Sequence, residues 1–321
     1  SCLVTLGHDE YWTREMRDNL DTFTGAGGNA IILGGNTCWW QVRLSSDLRT
    51  MYGYKGYALT EDPFAIDGNP ANNYLVTTNW YRPPVNYPEN STTGLGWRDG
   101  GYHDYGSSFL AANGFGGYKV YRTGHWVFGG TGVSDGQMIG QAATIVGYEV
   151  DGTPLEARDG AGNLAWDANG YYPLPGALPC VVNTSTSKTP ANFVVLGVAP
   201  STRGHAVMGI FDTAGGGRVF NAGTIDWVQG LATDAAVSRI TKNLLKTLGN
   251  LDPVTNRSPA AVILEASPFQ APEGSLVTLR GQGTDGDGTI VGFGWRSSID
   301  GFLSNLAVFS TTQLSPGVHT I

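Results

Sequence analysis

The feature that most constrains this chain is a pair of apolar segments near its start, separated by one amphipathic stretch. The segments are "CLVTLG" at residues 2–7 and "NAIILGG" at residues 29–35. Apolar side chains at helical spacing lie between them: Trp12, Met16, Leu20 and Phe23. Thr13 or Asp9 is placed to cap the start of this helix. Two apolar strands joined by a helix form a β-α-β unit, whose strands run parallel in one sheet. We therefore predict that residues 2–7 and 29–35 are buried, neighbouring, parallel strands.

Further apolar segments extend this pattern to about residue 250. "NFVVLGVAP" and "HAVMGIF" are typical of buried strands. An apolar helical stripe follows them, with Asp234 placed to cap its start and Gly249 to end it: Ala236, Val237, Ile240, Leu244 and Leu248. The 47 glycines indicate many turns between these elements. Together they predict an α/β domain built on an open, largely parallel sheet with Gly-rich insertions.

The character of the sequence changes near residue 250. "GNLDPVTNRSP" has the composition of a linker, and the short alternating apolar segments beyond it are typical of an all-β sandwich. We predict an α/β domain at residues 1–250, a linker at 251–259 and a β-sandwich at 260–321. The first domain begins, and the second ends, inside a predicted strand. We therefore expect each to be an incomplete part of a longer protein.

Charge, cysteine content and hydropathy exclude several classes of protein. The net charge of −8 argues against nucleic-acid binding, which normally needs a basic surface. Three cysteines cannot all pair, so no disulfide framework is implied. No apolar run approaches the roughly 18 residues that a membrane span needs.

Polar residues cluster where the two predicted strands end. "GHDEYW" follows the first strand, and "GGNTCWW" includes the end of the second. Ligands of open α/β sheets bind at the carboxyl ends of the strands, and His8 and Glu10, two residues apart, face one side of an extended segment. The cluster is thus a candidate reaction centre. The alternative is structural: Asp9 caps the helix, Tyr11 and Trp12 cover the core, and His8 bonds a neighbouring loop.

Five motifs in order resemble the C-terminal domain of the N,N-dimethylformamidase large (beta) subunit. They are "GHDEYWTREMRDNL", "GGNAIILGGNTCWWQVR", "GHWVFGGTG", "IVGYEVDG" and "GGGRVFNAGTIDW". This family resemblance implies a class I glutamine-amidotransferase-like α/β fold. The tail, with "GTDGDGTIVGFGWRSSIDG", resembles PKD or other immunoglobulin-like repeats of secreted bacterial proteins.

The resemblance also implies a chemistry. The family enzyme hydrolyses a small amide with an iron ion held by two tyrosines and a glutamate. Glu10 matches the carboxylate metal ligand, while His8, Asn36 and Glu149 match residues of the active site. The family's tyrosine ligands lie upstream of the motif that contains Glu10. We therefore expect iron in an intact parent protein, and none in these 321 residues alone.

Two functions remain open at this point. The first is metal-assisted hydrolysis of an amide C–N bond by a secreted or cell-surface bacterial protein. The second is a catalytically silent extracellular module, whose aromatic, Gly-rich surface and Ig-like domain contact carbohydrate or another protein. Neither function needs nucleic acid or a membrane span.

Overall fold

The computed structural model of the protein describes residues 1–103, 115–250, 259–285 and 289–321. The chain divides into two compact units, Ser1–Leu251 and Asp252–Ile321. All but the last residue of the predicted linker at 251–259 lies outside the described residues. None of the helices within the described ranges is both long and apolar enough to cross a membrane.

The first unit contains fourteen strands in its described part. In chain order they are β1 (Cys2–His8), β2 (Tyr11–Thr13), β3 (Asn29–Gly35), β4 (Trp40–Leu44), β5 (Met51–Tyr52), β6 (Gly101–Tyr102), β7 (Tyr118–Val120), β8 (Met138–Ile139), β9 (Glu149–Gly152), β10 (Leu155–Arg158), β11 (Leu178–Val181), β12 (Val194–Ser201), β13 (Gly204–Asp212) and β14 (Arg218–Asn221).

Helices are fewer and mostly short. Those described are α1 (Arg14–Gly25), α2 (Ala58–Glu61), α3 (Pro63–Ile66), α4 (Asn90–Thr93), α5 (Trp97–Gly100) and α6 (Ala235–Leu248). Four 3₁₀ turns accompany them at Lys55–Tyr57, Pro70–Leu75, Trp126–Phe128 and Trp227–Gly230.

The predicted β-α-β unit is confirmed. Strands β1 and β3 pair in parallel along their whole length, from Cys2 opposite Asn29 to His8 opposite Gly35. Helix α1 joins them and begins at Thr13, whose Oγ1 accepts the Met16 N–H at 3.2 Å. The predicted burial is confirmed for β3 but wrong for β1. Strand β1 is the edge strand of the sheet formed by the described residues, and side chains on it such as Leu6 are exposed.

The predicted largely parallel open sheet of the class I glutamine-amidotransferase type is wrong. Strand accounts for 32% of the structure and helix for 19%. The central sheet is mixed and has the spatial order β1-β3-β14-β13-β12-β7-β8. Its first two pairings are parallel, and the other four are antiparallel. The connections explain the difference: short turns join β12 to β13 and β13 to β14, and such turns can link only antiparallel strands.

The sheet separates two apolar clusters. One contains side chains of α6, whose predicted apolar stripe is confirmed because Val237, Ile240 and Leu244 are fully buried. Asp234 caps α6 by accepting the N–H groups of Ala236 and Val237, as expected. The other cluster contains residues of α1 together with the segment around Trp80. The sheet is therefore covered on both faces, as a mixed sheet of apolar strands requires.

The described part of the second unit contains only strands. They are β15 (Ala260–Ser267), β16 (Val277–Thr284), β17 (Trp295–Ser297), β18 (Gly301–Ser304) and β19 (Val308–Thr311). Strands β15, β16 and β19 form one antiparallel sheet, and β17 pairs with β18. The Trp295 and Phe309 rings lie 5.7 Å apart. The assignment of the second unit to the immunoglobulin-like class stays a prediction.

Candidate functional site

The parallel part of the sheet places its carboxyl ends at one edge. His8 is the last residue of β1, and Asn36 directly follows β3. Strand β9 crosses the end of the third parallel strand, since Val150 bridges to Thr224 and the Asp151 N–H donates to Gly223 O at 2.9 Å. Strand β9 therefore places Glu149 at the edge of the sheet where β1 and β3 end.

The structure brings the four predicted site residues together. Asn36 Nδ2 donates to Glu149 Oε1 at 3.2 Å and lies 3.4 Å from His8 Nε2. His8 Nε2 lies 2.7 Å from Glu149 Oε2 and 3.9 Å from Glu10 Oε2. We call these four side chains the strand-end cluster. Their proximity agrees with the sequence analysis, while their chemical roles stay predictions.

The strand-end cluster holds acceptor atoms that lack donors. Glu149 Oε2 lies 2.7 Å from His8 Nε2 but makes no hydrogen bond of acceptable geometry with any described residue. Asn36 Oδ1 is also buried without a partner in the described part of the chain. The His8 side chain is 37% exposed and that of Glu149 9%, so His8 is the more accessible of the two to solvent. A water molecule or polar substrate could satisfy both acceptors.

The structural alternative for the first motif is only partly correct. Trp12 is buried in the core, but Thr13 rather than Asp9 caps α1. Tyr11 is half-buried and accepts a hydrogen bond from Lys55 Nζ at 2.5 Å. Burial raises the pKa of Tyr11, and a hydrogen bond to the neighbouring Glu10 raises it further.

A second set of acids, missed by the sequence analysis, lies beneath the strand-end cluster. Asp151 and Glu89 are fully buried. Burial raises the pKa of Glu89 to about 8, with repulsion from Asp151 and Asp99 adding to the rise. Burial likewise raises the pKa of Asp151 to about 7 and that of Asp99 to about 6. The only available signal was the two-residue spacing of Glu149 and Asp151, which places both on one side of β9.

A row of four neighbouring aromatic side chains, which we call the aromatic chain, starts beside Glu149. Tyr102 is the register partner of Glu149 in the antiparallel pair of β6 and β9, so both side chains project from the same face. The Tyr102 ring lies 5.2 Å from that of Trp97, which lies 4.9 Å from that of Trp39. The Trp39 ring in turn lies 5.5 Å from that of Tyr81. These rings give the strand-end cluster an apolar flank.

The described residues do not make a complete metal site. Nowhere in the described ranges do three His, Cys, Asp or Glu side chains gather in a way that could hold a metal ion. Beside the Glu10 carboxylate lie the His8 imidazole, which already contacts Glu149 and Asn36, and the Tyr11 hydroxyl, which already accepts a hydrogen bond from Lys55 Nζ. A single carboxylate is too few fixed ligands for tight iron binding. The iron implied by the sequence resemblance therefore does not fit the described residues by themselves.

Carboxylate, imidazole and amide groups converge at the strand ends of the first unit, and this set of groups is suited to hydrolysis. Residues 1–242 match the family described as N,N-dimethylformamidase beta subunit-like, C-terminal, and the chain belongs to this family. A comparison with curated proteins finds no significant match.

Proposed function

We propose that the first unit hydrolyses the C–N bond of a small amide. The observation that carries this proposal is the contact of Glu149 with both His8 and Asn36 in the strand-end cluster. Membership of a family named after an amide hydrolase supports the same reaction class. A buried carboxylate beside an imidazole and an amide is a suitable set for general acid–base chemistry.

Glu149 acts as the general base in this proposal. Its carboxylate takes a proton from water, and the water oxygen forms a bond to the amide carbonyl carbon. The C–N bond then breaks, its electron pair stays on nitrogen, and the departing amine takes the proton back. The products are a carboxylic acid and an amine, so no other reactant is consumed.

The other two residues support this proton transfer. Asn36 donates to Glu149 Oε1 and thereby holds the carboxylate in one orientation. His8 contacts Glu149 and is the more exposed of the two, and an imidazole in this place can carry a proton between the carboxylate and the leaving nitrogen. The tautomer of His8 decides which ring nitrogen carries this proton.

The test is an assay of amine release. The protein is incubated with a panel of N-alkyl and N,N-dialkyl formamides and acetamides, and the acid and amine are both measured by proton NMR. We expect stoichiometric release of the two products from at least one member. The proposal fails if the protein, supplied with the metals of its growth medium, releases amine no faster than buffer does.

Iron binding is a separate proposal that concerns Glu10. We expect the 321 residues alone to purify with far less than one iron per chain, because the described donor set holds too few fixed ligands. Elemental analysis of the purified chain measures this directly. One iron per chain, lost in the Glu10→Ala variant but kept in Glu15→Ala, would contradict the expectation. Glu15 is a suitable control because it is an exposed carboxylate on the adjoining helix α1.

A second candidate function is binding without catalysis. It is favoured by the aromatic chain, in which the Arg203 guanidinium lies 4.2 Å from the Trp97 ring centroid and that of Arg98 lies 4.6 Å from the Tyr81 ring centroid. Aromatic rings beside hydrogen-bond donors are suited to sugar rings as well as to proteins. Calorimetric binding of a soluble oligosaccharide by a chain inactive on amides, lost in Tyr81→Ala, would favour this function.

A further inference from the structure

The turn after β3 has an unusual backbone. Asn36 has a φ of 49° and Cys38 a φ of 57°, so two non-glycine residues within three positions are left-handed. Asparagine tolerates this conformation better than most residues, but such backbone persists only where surrounding contacts hold it. The Asn36 side chain depends on this turn, because the turn sets the direction in which its amide points.

Asp151 supplies one of the contacts that hold the turn, and the Cys38 N–H supplies another by donating to Asp9 O at 2.8 Å. Asp151 Oδ2 accepts the Thr37 N–H at 3.1 Å, and the N–H of Asn36 also stabilises the ionised carboxylate. Asp151 is completely buried, and its own N–H is fixed by Gly223 O. The carboxylate is therefore anchored from the sheet side and has little freedom to move away from the turn.

Strand β9 contacts the turn at two points. Glu149 and Asp151 are two residues apart on this strand, so their side chains project from one side of it. Glu149 accepts from the Asn36 side chain, and Asp151 accepts from the backbone of the next residue. We propose that Asp151 is a positioning residue. Its hydrogen bond with the Thr37 backbone N–H orients the Asn36 side-chain amide toward Glu149 and His8.

The ionisation of Asp151 provides a way to observe its hydrogen bond with Thr37. A carboxylate accepts N–H donors more strongly than a neutral carboxyl group does. Burial raises the pKa of Asp151 to about 7, and the titratable groups that face it are Glu149, Glu89 and Tyr118. As pH rises through about 7, Asp151 loses its proton, and the hydrogen bond from Thr37 should strengthen.

The experiment is nitrogen–proton NMR of the whole chain, with the Asn36 side-chain amide identified through Asn36→Asp. In the wild type we expect the Thr37 backbone amide and the Asn36 side-chain amide to shift together, with one midpoint near pH 7. In Asp151→Asn both shifts should vanish, while Asp159→Asn should leave them intact. Asp159 is a matched control because its carboxylate also accepts backbone N–H groups, from Ala161 and Asn163, but in an exposed turn.

The positioning role of Asp151 rests on the proposed amide hydrolysis, but the two can fail separately in this experiment. If the two wild-type signals titrate independently, or if both titrations survive in Asp151→Asn, the positioning role is overturned. The wild-type titration decides the matter even if the variant fails to fold. If the signals move together but no amide is hydrolysed, positioning stands and the proposed function fails. With an active substrate, we expect Asp151→Asn to lower kcat about tenfold with KM nearly unchanged.

Discussion

Replacing Glu149 by glutamine should lower the rate of amide hydrolysis by about 10²–10⁴-fold, the usual contribution of a general base. Glutamine has nearly the same size, and its oxygen can still accept from Asn36 Nδ2, so the strand-end cluster should keep its shape. What the variant loses is a group that can take a proton from water. The effect should therefore fall on kcat more than on KM.

The measurement is amine release by the wild type and by Glu149→Gln, with Glu61→Gln as the control. Glu61 is an exposed carboxylate at the end of α2, and the same change there should leave the rate unaltered. Circular dichroism of each variant checks that the fold is kept. Retention of activity within about threefold in Glu149→Gln would show that another group is the base.

Replacing Glu89 by glutamine should stabilise the first unit at alkaline pH and have little effect at acid pH. Glu89 is fully buried, and neither of its carboxyl oxygens has a hydrogen-bond partner among the residues described. Burial, with repulsion from Asp151 and Asp99, raises its pKa from 4.5 to about 8, against an attraction from Arg17 that lowers it. The folded protein therefore keeps a proton there that the unfolded chain has already lost.

The sign of the effect follows from proton binding. Between about pH 4.5 and 8 the folded state binds more protons at Glu89 than the unfolded state does, so the free energy of unfolding falls as pH rises. Above the folded pKa this loss is complete. Glutamine does not ionise, so the variant lacks this part of the decline. We expect the stability difference between Glu89→Gln and wild type to grow by about 2–4 kcal/mol from pH 5 to pH 8.5.

Urea unfolding at the two pH values measures the change. Tryptophan fluorescence reports mainly on the first unit, because eight of the nine tryptophans lie before residue 251. Glu61→Gln serves again as an exposed control. Parallel pH profiles for the wild type and Glu89→Gln would mean that Glu89 is ionised in the folded protein, against the argument from burial.

Local sequence patterns were enough to predict the elements near the start and end of the first unit. The β-α-β unit and helix α6 follow from apolar spacing and capping residues, which depend on neighbours within a few positions. The same local patterns wrongly predicted that the whole sheet is largely parallel, whereas it is mixed. That error came from extending one β-α-β unit to strands β12, β13 and β14, whose connections are short turns.

The site residues that lie in recognisable sequence motifs were predicted, and the others were not. His8, Glu10, Asn36 and Glu149 were chosen from strand ends and a family resemblance, and they lie in contact. Asp151 and Glu89 were not, because the sequence gives no sign of a buried acid whose partners are distant backbone groups. Lys55 beside Tyr11 was also missed, since 44 residues and an irregular segment separate the two.

The contacts of the strand-end cluster have a consequence for the order of folding. Asn36 and Glu149 are 113 positions apart, and Thr37 and Asp151 are 114 apart, so closing these contacts costs the entropy of a very long loop. Strand β9 is in turn held by Gly223 and Thr224, which follow β14. We therefore expect the cluster to be stable only after a nascent chain has extended beyond residue 224. Contacts of such long range form slowly, and during refolding the cluster should be completed after the local β-α-β unit.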